Sequence, residues 1–208
     1  MIDLYSWQTS NGRKVSIALE EMELPYVVHP INIGDDDQFS DNFTSLNPNQ
    51  KIPAIVDSDG PDGKPITVFE SGAILIYLAR KCGKFLPHDA RGEMETLQWL
   101  MLQMGGIGPT FGQVHHFKRA TKEAVPYALE RYGKECLRLY EVLDKRLTER
   151  QYVAANEYSI ADMAIFPWVA RYEWQEVDLQ WFENVKRWYE SIEKRPAVQR
   201  GLLVPPRP

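Results

Sequence analysis

The stretch from Lys51 to Leu78 constrains the fold most, because it combines two short strands, the turn between them and the start of a helix. The strands are predicted at Ala54–Val56 and Thr67–Phe69. Between them lie Asp-Gly and Gly-Lys-Pro sequences, which are typical of chain reversals. The stretch therefore predicts an antiparallel hairpin that leads into a helix.

Two features make one edge of this hairpin a candidate binding site. Pro53 stands directly before the first strand, where its missing N–H costs no hydrogen bond of the sheet. Glu70 and Ser71 stand where the following helix exposes unpaired N–H groups, and such a helix start attracts anions. An extended peptide could pair with this edge. The alternative is that Glu70 and Ser71 merely cap the helix, which is the commoner role of such residues.

A strand, an amphipathic helix and a second strand precede the hairpin. The strands are predicted at Ile2–Tyr5 and Tyr26–Ile33. The helix between them carries an apolar stripe at i, i+3, i+4 and i+7, formed by Val15, Ala18, Leu19 and Met22. The strands of a βαβ unit are parallel, so the predicted order is βαβ–ββα around a mixed sheet. The polar segment 34–50 is predicted to be a flexible loop that borders the site.

The second half of the chain is predicted to be entirely helical. Apolar stripes recur at 97–104, 132–143 and 185–192, and the segment from Ser159 to Asp162 has the spacing of a capping box. Pro196 is predicted to end the last helix, and a non-helical tail follows. These patterns divide the chain into an α/β domain at 1–83, a linker at 84–91 and an all-α domain at 92–208.

The composition narrows the class of function. The net charge is −5 and no basic run occurs, which argues against nucleic acid as a partner. No apolar stretch approaches the roughly 18 residues of a membrane span, and the first residues do not resemble a secretory signal. The two cysteines form no Cys-x-x-Cys pair, which favours a reducing compartment, and the cytoplasm is the predicted location. No metal site is predicted, because Asp35–Asp37 has the character of a solvated loop and His115-His116 lacks further ligands at suitable spacing.

Three motifs occur in the structural settings just described. They are Asn-Gln-Lys-Ile-Pro-Ala at 49–54, Phe-Glu-Ser-Gly-Ala-Ile at 69–74 and Tyr-Ser-Ile-Ala-Asp at 158–162. Together they resemble the cytosolic glutathione transferases over nearly the whole chain. The resemblance implies a thioredoxin-like α/β N-terminal domain and an all-α C-terminal domain. Further stretches, among them Thr9–Gly12, Leu97–Trp99 and His115–Phe117, resemble the bacterial Nu class, which is similar to glutathione-dependent disulfide-bond reductases.

The resemblance implies that glutathione is the co-substrate. Glu70 and Ser71 would bind the γ-glutamyl end of glutathione. The backbone of Ile52, before a cis-Pro53, would pair with its cysteinyl unit.

The resemblance also assigns the remainder of the tripeptide. Lys51 and Gln38 would bind the glycine end. Gln98 and Arg131, in the helical domain, would complete the site, either for a second glutathione or across the interface of a homodimer.

Thr9 and Asn11 are implied to face the sulfur atom. The early Tyr or Ser catalyst common in the family is not cleanly matched, because Tyr5 lies inside the strand and Ser6 and Ser10 only flank the loop. A thiol with a pKa of about 8.5 is mostly protonated at neutral pH, and only its thiolate is nucleophilic. A hydroxyl and an amide donor near the sulfur favour the thiolate, at about 1.4 kcal/mol for each pKa unit.

Three functions compete. The leading prediction is an enzyme that reduces a small disulfide with two bound glutathiones. The alternative is conjugation of glutathione to a hydrophobic electrophile, or peroxide reduction, in a pocket that would be lined by Trp7, Phe111, Phe166 and Trp168. The third is a non-enzymatic interaction module, against which the retained Lys51, Glu70 and Ser71 argue.

Overall fold

The computed structural model describes residues 1–206, which form two compact units. One unit contains Met1–Lys84 together with the segment that starts at Lys194, and the other contains Phe85–Glu193.

The first unit begins with a four-stranded sheet and three helices. Its strands are β1 (Ile2–Ser6), β2 (Tyr26–Pro30), β3 (Ala54–Asp57) and β4 (Ile66–Phe69). Its helices in this part are α1 (Ser10–Glu21), α2 (Asp41–Leu46) and α3 (Ser71–Cys82), with 3₁₀ turns at Asp37–Phe39 and Pro61–Gly63. The strand order is β2-β1-β3-β4. Strand β1 is parallel to β2 and antiparallel to β3, and β3 is antiparallel to β4. The predicted βαβ–ββα arrangement is therefore confirmed.

The strand register brings three chain segments to one end of the sheet. Tyr5 of β1 is opposite Ala54 of β3, and Ala54 is in turn opposite Phe69 of β4. The loop after Ser6, the peptide before Ala54 and the chain after Phe69 therefore emerge together. We call this end, defined by Ser6, Ala54 and Phe69, the site end of the sheet.

The second unit is helical. Its elements are α4 (Ala90–Leu102), a π-helical turn (Gln103–Ile107), α5 (Gly108–His115), a second π-helical turn (His116–Ala120), α6 (Pro126–Leu147), α7 (Ile160–Val169), α8 (Tyr172–Gln175), a 3₁₀ turn (Leu179–Trp181) and α9 (Glu183–Glu193). Helix α7 is buried along its whole length and starts at the predicted capping box, in which Ser159 and Asp162 exchange hydrogen bonds. In the described part of the chain, no helix is long and apolar enough to cross a membrane.

Two predictions about helix boundaries are wrong. The segment 34–50 contains α2, which Ser40 caps through the backbone N–H of Phe43 and which the buried Phe43 side chain anchors. Pro196 does not end the last helix but starts another, α10 (Pro196–Leu202), at the first helical position that proline tolerates well.

Helix α10 also belongs to a different unit from the one predicted. It packs closely on α1, so the segment from Lys194 onward joins the first unit rather than the helical one. Gly201 permits this approach, because a Cβ atom there would lie 2.7 Å from the Cα of Ile17. The buried Ser16 hydroxyl donates to the Gly201 carbonyl at 2.7 Å. The last two residues of the predicted tail lie outside the described residues.

Candidate functional site

The start of α3 lies at the site end of the sheet and lacks a side-chain cap. Glu70 is the N-cap residue, yet its carboxylate makes no capping hydrogen bond. It is solvent-exposed and its backbone has φ 68° and ψ 111°, a conformation that residues with a Cβ rarely adopt. Backbone strain of this kind clusters at binding sites. The geometry therefore does not support the alternative in which Glu70 serves only as a cap.

Ser71 is buried directly behind Glu70 and contacts a residue that the sequence analysis missed. The Lys14 Nζ atom of α1 donates to the Ser71 Oγ atom at 3.2 Å. Lys14 is only 1% exposed. Burial lowers the pKa of Lys14 to about 7, and the nearby Glu70 carboxylate opposes that change. The sequence did hold a signal, because Lys14 stands four residues before Ala18 in the buried stripe, where a lysine is unusual.

The start of α1 carries the two residues predicted to face sulfur. Thr9 is the N-cap residue, and its Oγ1 atom accepts a hydrogen bond from the Gly12 N–H at 3.1 Å. Because a hydroxyl accepts and donates at once, Thr9 retains a donor for a ligand. Asn11 lies in the first turn, and both side chains are half-buried. Gly12 keeps the turn tight, since a Cβ there would lie 2.2 Å from the Trp7 carbonyl oxygen.

The peptide before β3 forms the third part of the site. The Ile52–Pro53 bond is cis, as the resemblance implied. The buried Asn47 shapes the preceding loop, because its Nδ2 donates to the Lys51 carbonyl at 2.6 Å and its Oδ1 accepts from the Asn49 N–H at 2.9 Å. Sequence reasoning missed Asn47, although Asn is a common turn residue. The Lys51 side chain points into solvent.

The remaining predicted residues lie on other elements. Gln38 lies on the 3₁₀ turn after β2, where its amide donates weakly to Asp36 at 3.4 Å. Gln98 and Arg131 are exposed on α4 and α6 of the helical unit. Their contact with glutathione stays a prediction.

Three of the four aromatic side chains suggested for an electrophile pocket lie in the core of the helical unit. Phe111 and Phe166 are fully buried, and they stack on Tyr140 and Tyr189 with ring centroids 5.1 and 5.5 Å apart. Their burial is a consequence of core packing in the helical unit. Trp168 is also largely buried.

The histidine pair has a packing role. His115 stacks on Trp168, and its ring lies within hydrogen-bond distance of the Gln175 amide at 3.1 Å. Burial, with the positive charges of Arg171 and Arg119, lowers the pKa of His115 to about 4, so the ring is neutral at pH 7. Residues 1–206 contain no group of three or more His, Cys, Asp or Glu side chains that could hold a metal ion.

The two cysteines are not placed as a reactive pair. Both are free thiols. Cys136 is 1% exposed, and burial raises the pKa of its thiol to about 12. Cys82 lies at the end of α3, where its Sγ contacts the Ala79 carbonyl at 3.6 Å.

Comparison with known proteins places these features in a family. Residues 10–81 match the family described as Glutathione S-transferase, N-terminal domain, and residues 111–196 match Glutathione S-transferase, C-terminal domain. The chain is 49% identical to the disulfide-bond oxidoreductase YfcG of Escherichia coli strain K12, over 98% of this chain and 95% of YfcG.

Solved structures agree with the sequence matches. A glutathione transferase from Burkholderia graminis, with two glutathione molecules bound per subunit, superposes with a TM-score of 0.94 at 48% identity, over 100% of this chain and 89% of that one. A glutathione transferase from Pseudomonas putida, with one glutathione disulfide per subunit, also gives a TM-score of 0.94, at 49% identity over 98% of this chain and 91% of that one. The chain belongs to the glutathione S-transferase family.

Proposed function

We propose that this protein uses glutathione to reduce disulfide bonds. The observation that carries the proposal is the convergence of Thr9, cis-Pro53 and the Glu70–Ser71 pair at the site end of the sheet. The identity with a disulfide-bond oxidoreductase over nearly the full length of both chains supports it, and so does the resemblance to the Nu class.

Each part of glutathione has a chemical counterpart at this end. The exposed Glu70 carboxylate suits the α-ammonium group, and the Ser71 hydroxyl and the start of α3 suit the α-carboxylate. The Ile52 backbone suits the extended cysteinyl unit, and Lys51 and Gln38 suit the glycine carboxylate. The Thr9 hydroxyl and the Asn11 amide then face the sulfur. Gln98 and Arg131 would contact a second glutathione.

The reaction is thiol–disulfide exchange in two steps. A glutathione thiolate attacks one sulfur of the substrate disulfide, which forms a mixed disulfide and releases the other substrate sulfur as a thiolate. The thiolate of a second glutathione then attacks the glutathione sulfur of the mixed disulfide, releasing the second substrate thiol and glutathione disulfide. Two electrons pass from two glutathiones to the substrate, and the released thiolates take up the protons. Similar proteins that hold two glutathiones, or one glutathione disulfide, per subunit support this stoichiometry.

Conjugation is the second candidate. The burial of Phe111 and Phe166 removes two of the four aromatic side chains that were expected to line an electrophile pocket. A non-enzymatic interaction module is disfavoured, because it would have no need of the exposed Glu70 carboxylate or the strained backbone that presents it. We further propose a homodimer and a cytoplasmic location, which light scattering of the purified protein and cell fractionation would test.

The test uses a small disulfide, bis(2-hydroxyethyl) disulfide, with glutathione as reductant. The Cys82→Ser, Cys136→Ser double variant should keep most of the wild-type turnover, because Cys136 is buried and Cys82 lies at the opposite end of α3 from Ser71. The Glu70→Gln variant should raise the KM for glutathione by roughly 10-fold or more, since a charge-assisted hydrogen bond contributes about 1.5–3 kcal/mol.

Two outcomes would contradict the proposal. Loss of turnover in a correctly folded cysteine variant would mean that a protein thiol takes part. A wild-type protein that conjugates 1-chloro-2,4-dinitrobenzene but reduces no disulfide would favour the second candidate.

A further inference from the structure

Lys14 is a buried ionisable side chain of the first unit that contacts Ser71 at the start of α3. It is 1% exposed and lies on α1 between the turn that carries Thr9 and Asn11 and the apolar stripe. A lysine is almost never fully buried without a partner that offsets the loss of its hydration. A structural role alone would be served at lower cost by an apolar residue of the same length.

The Lys14 contacts point toward the γ-glutamyl subsite. Its Nζ atom donates to the Ser71 hydroxyl at 3.2 Å, across 57 residues of sequence. Burial lowers the pKa of Lys14 to about 7, and the negative charge of Glu70 opposes that change.

Helix α1 and the elements packed around it carry further charged groups. Arg195, directly before α10, pairs with Glu21, and Arg200 on α10 pairs with Glu20. The remaining groups are Arg80 and Lys81 near the end of α3, Asp3 of β1, which pairs with His29, and Arg13 on α1 itself.

The charge of Lys14 decides which way the Ser71 hydroxyl points. An ammonium group only donates hydrogen bonds, so the Ser71 oxygen accepts from it and the hydroxyl hydrogen is directed away from Lys14. That hydrogen then suits the α-carboxylate of a bound γ-glutamyl group. A neutral amine can accept instead, and the hydroxyl would then turn a lone pair toward the carboxylate, which is repulsive.

We propose that Lys14 is the positioning residue of the γ-glutamyl subsite, which orients the Ser71 hydroxyl as a donor and takes up a proton when the ligand's α-carboxylate binds. This inference rests on the proposed function and adds to it a link between glutathione binding and protons. A lysine with a pKa of about 7 is mostly neutral at pH 8. The bound carboxylate lies one hydroxyl away, and an opposite charge at this range raises the pKa of the lysine by about 1–3 units.

The test is calorimetry with S-methylglutathione, which keeps the γ-glutamyl end and has no thiol to titrate. Titrations at pH 8 in two buffers of different ionisation enthalpy give the number of protons taken up per ligand. For the wild type we expect about 0.4–0.9 proton from Lys14. The variants are Lys14→Met, which cannot be charged, Lys14→Arg, which is always charged, and Lys64→Met, which removes an exposed lysine of the β3–β4 hairpin.

The expected pattern separates a positioning role from a packing role. Proton uptake should fall in Lys14→Met and in Lys14→Arg and stay at the wild-type level in Lys64→Met. Between pH 7 and 9, wild-type affinity should weaken more than that of Lys14→Arg, whose charge is fixed. The ligand's own amino group titrates with every protein, so differences between variants isolate Lys14.

Three results would overturn the inference. Equal proton uptake in wild type and both Lys14 variants would exclude Lys14 as the group that takes up the proton. Binding of S-methylglutathione to the wild type without proton uptake would also exclude Lys14, and this result does not depend on whether the two variants fold. If S-methylglutathione did not bind to the wild type, both the proposed function and the inference would be wrong. The first two results would contradict the inference alone.

Discussion

Replacing Asp162 by alanine tests how much stability one buried carboxylate provides to the helical unit. Asp162 is fully buried at the start of α7. Its Oδ1 atom accepts from the Val153 N–H at 3.0 Å and from the Trp188 Nε1–H at 2.8 Å. Its Oδ2 atom accepts from the Ser159 N–H at 3.0 Å and from the Ser159 hydroxyl at 3.1 Å. One side chain therefore joins the start of α7, the preceding loop and α9.

The expected cost exceeds that of an ordinary capping box. Loss of a cap alone costs about 0.5–2 kcal/mol. The Asp162→Ala change also leaves the buried N–H groups of Val153 and Trp188 without an acceptor, and each such group costs about 1–3 kcal/mol. The free energy of unfolding should therefore fall by about 2.5–8 kcal/mol, the sum of these three costs, which lowers Tm by about 5–30 °C in a chain of this size.

The assay is thermal and urea unfolding followed by circular dichroism, with Asp89→Ala as the matched control. Asp89 caps α4 through the Gly92 N–H at 2.9 Å, but it is exposed and has that one capping bond. Its loss should cost only about 1 kcal/mol. If Asp162→Ala melted no lower than Asp89→Ala, the reasoning from buried donors would be wrong. If it kept the wild-type Tm but lost disulfide turnover, Asp162 would have a functional role.

Three further outcomes concern the first unit. Asn11→Ala should slow disulfide reduction at pH 7 and recover much of the rate at pH 9, where the glutathione thiolate forms without a donor; a deficit independent of pH would place the stabilising group elsewhere. Gly201→Ala should destabilise the protein by about 1–3 kcal/mol in urea unfolding, because its Cβ would lie 2.7 Å from the Ile17 backbone. Lys14 should make stability rise with pH. Between about pH 7, the pKa of Lys14 in the folded protein, and the ordinary lysine value of 10.5, the unfolded chain holds one more proton. The unfolding free energy of the wild type relative to Lys14→Met should therefore increase by up to about 1.4 kcal/mol per pH unit in that window, and a constant difference would contradict a neutral Lys14.

Features encoded over a few residues could be predicted from the sequence. The hairpin at β3–β4, the βαβ unit and the capping box at Ser159 depend on turn residues, strand composition and helical spacing close in the chain. The Glu70–Ser71 pair was found for the same reason, since a helix start has a local pattern.

The features that were missed depend on contacts far apart in sequence. Helix α2 has only six residues and exists because Phe43 is buried, which no local pattern indicates. The placement of α10 depends on Gly201, which meets α1 across more than 180 residues. Lys14 was passed over because lysine is normally exposed, and its contact with Ser71 follows from the fold.

The charge distribution explains why the site end needs buried and local positive groups. Glutathione is an anion, and its thiolate adds a second negative charge, while the chain carries a net charge of −5. The field of the whole protein therefore opposes binding, but it is screened beyond about 8 Å at physiological ionic strength. Attraction must come from groups within that distance, which the helix starts at Ser10 and Ser71 and the buried Lys14 provide. Buried groups are screened less than surface charges, so a cation beneath Ser71 acts on the ligand more strongly than another lysine on the surface would. Before glutathione binds, burial disfavours the charged form of Lys14, and the bound carboxylate offsets part of that free-energy cost. Lys14 therefore favours binding and makes the affinity depend on pH.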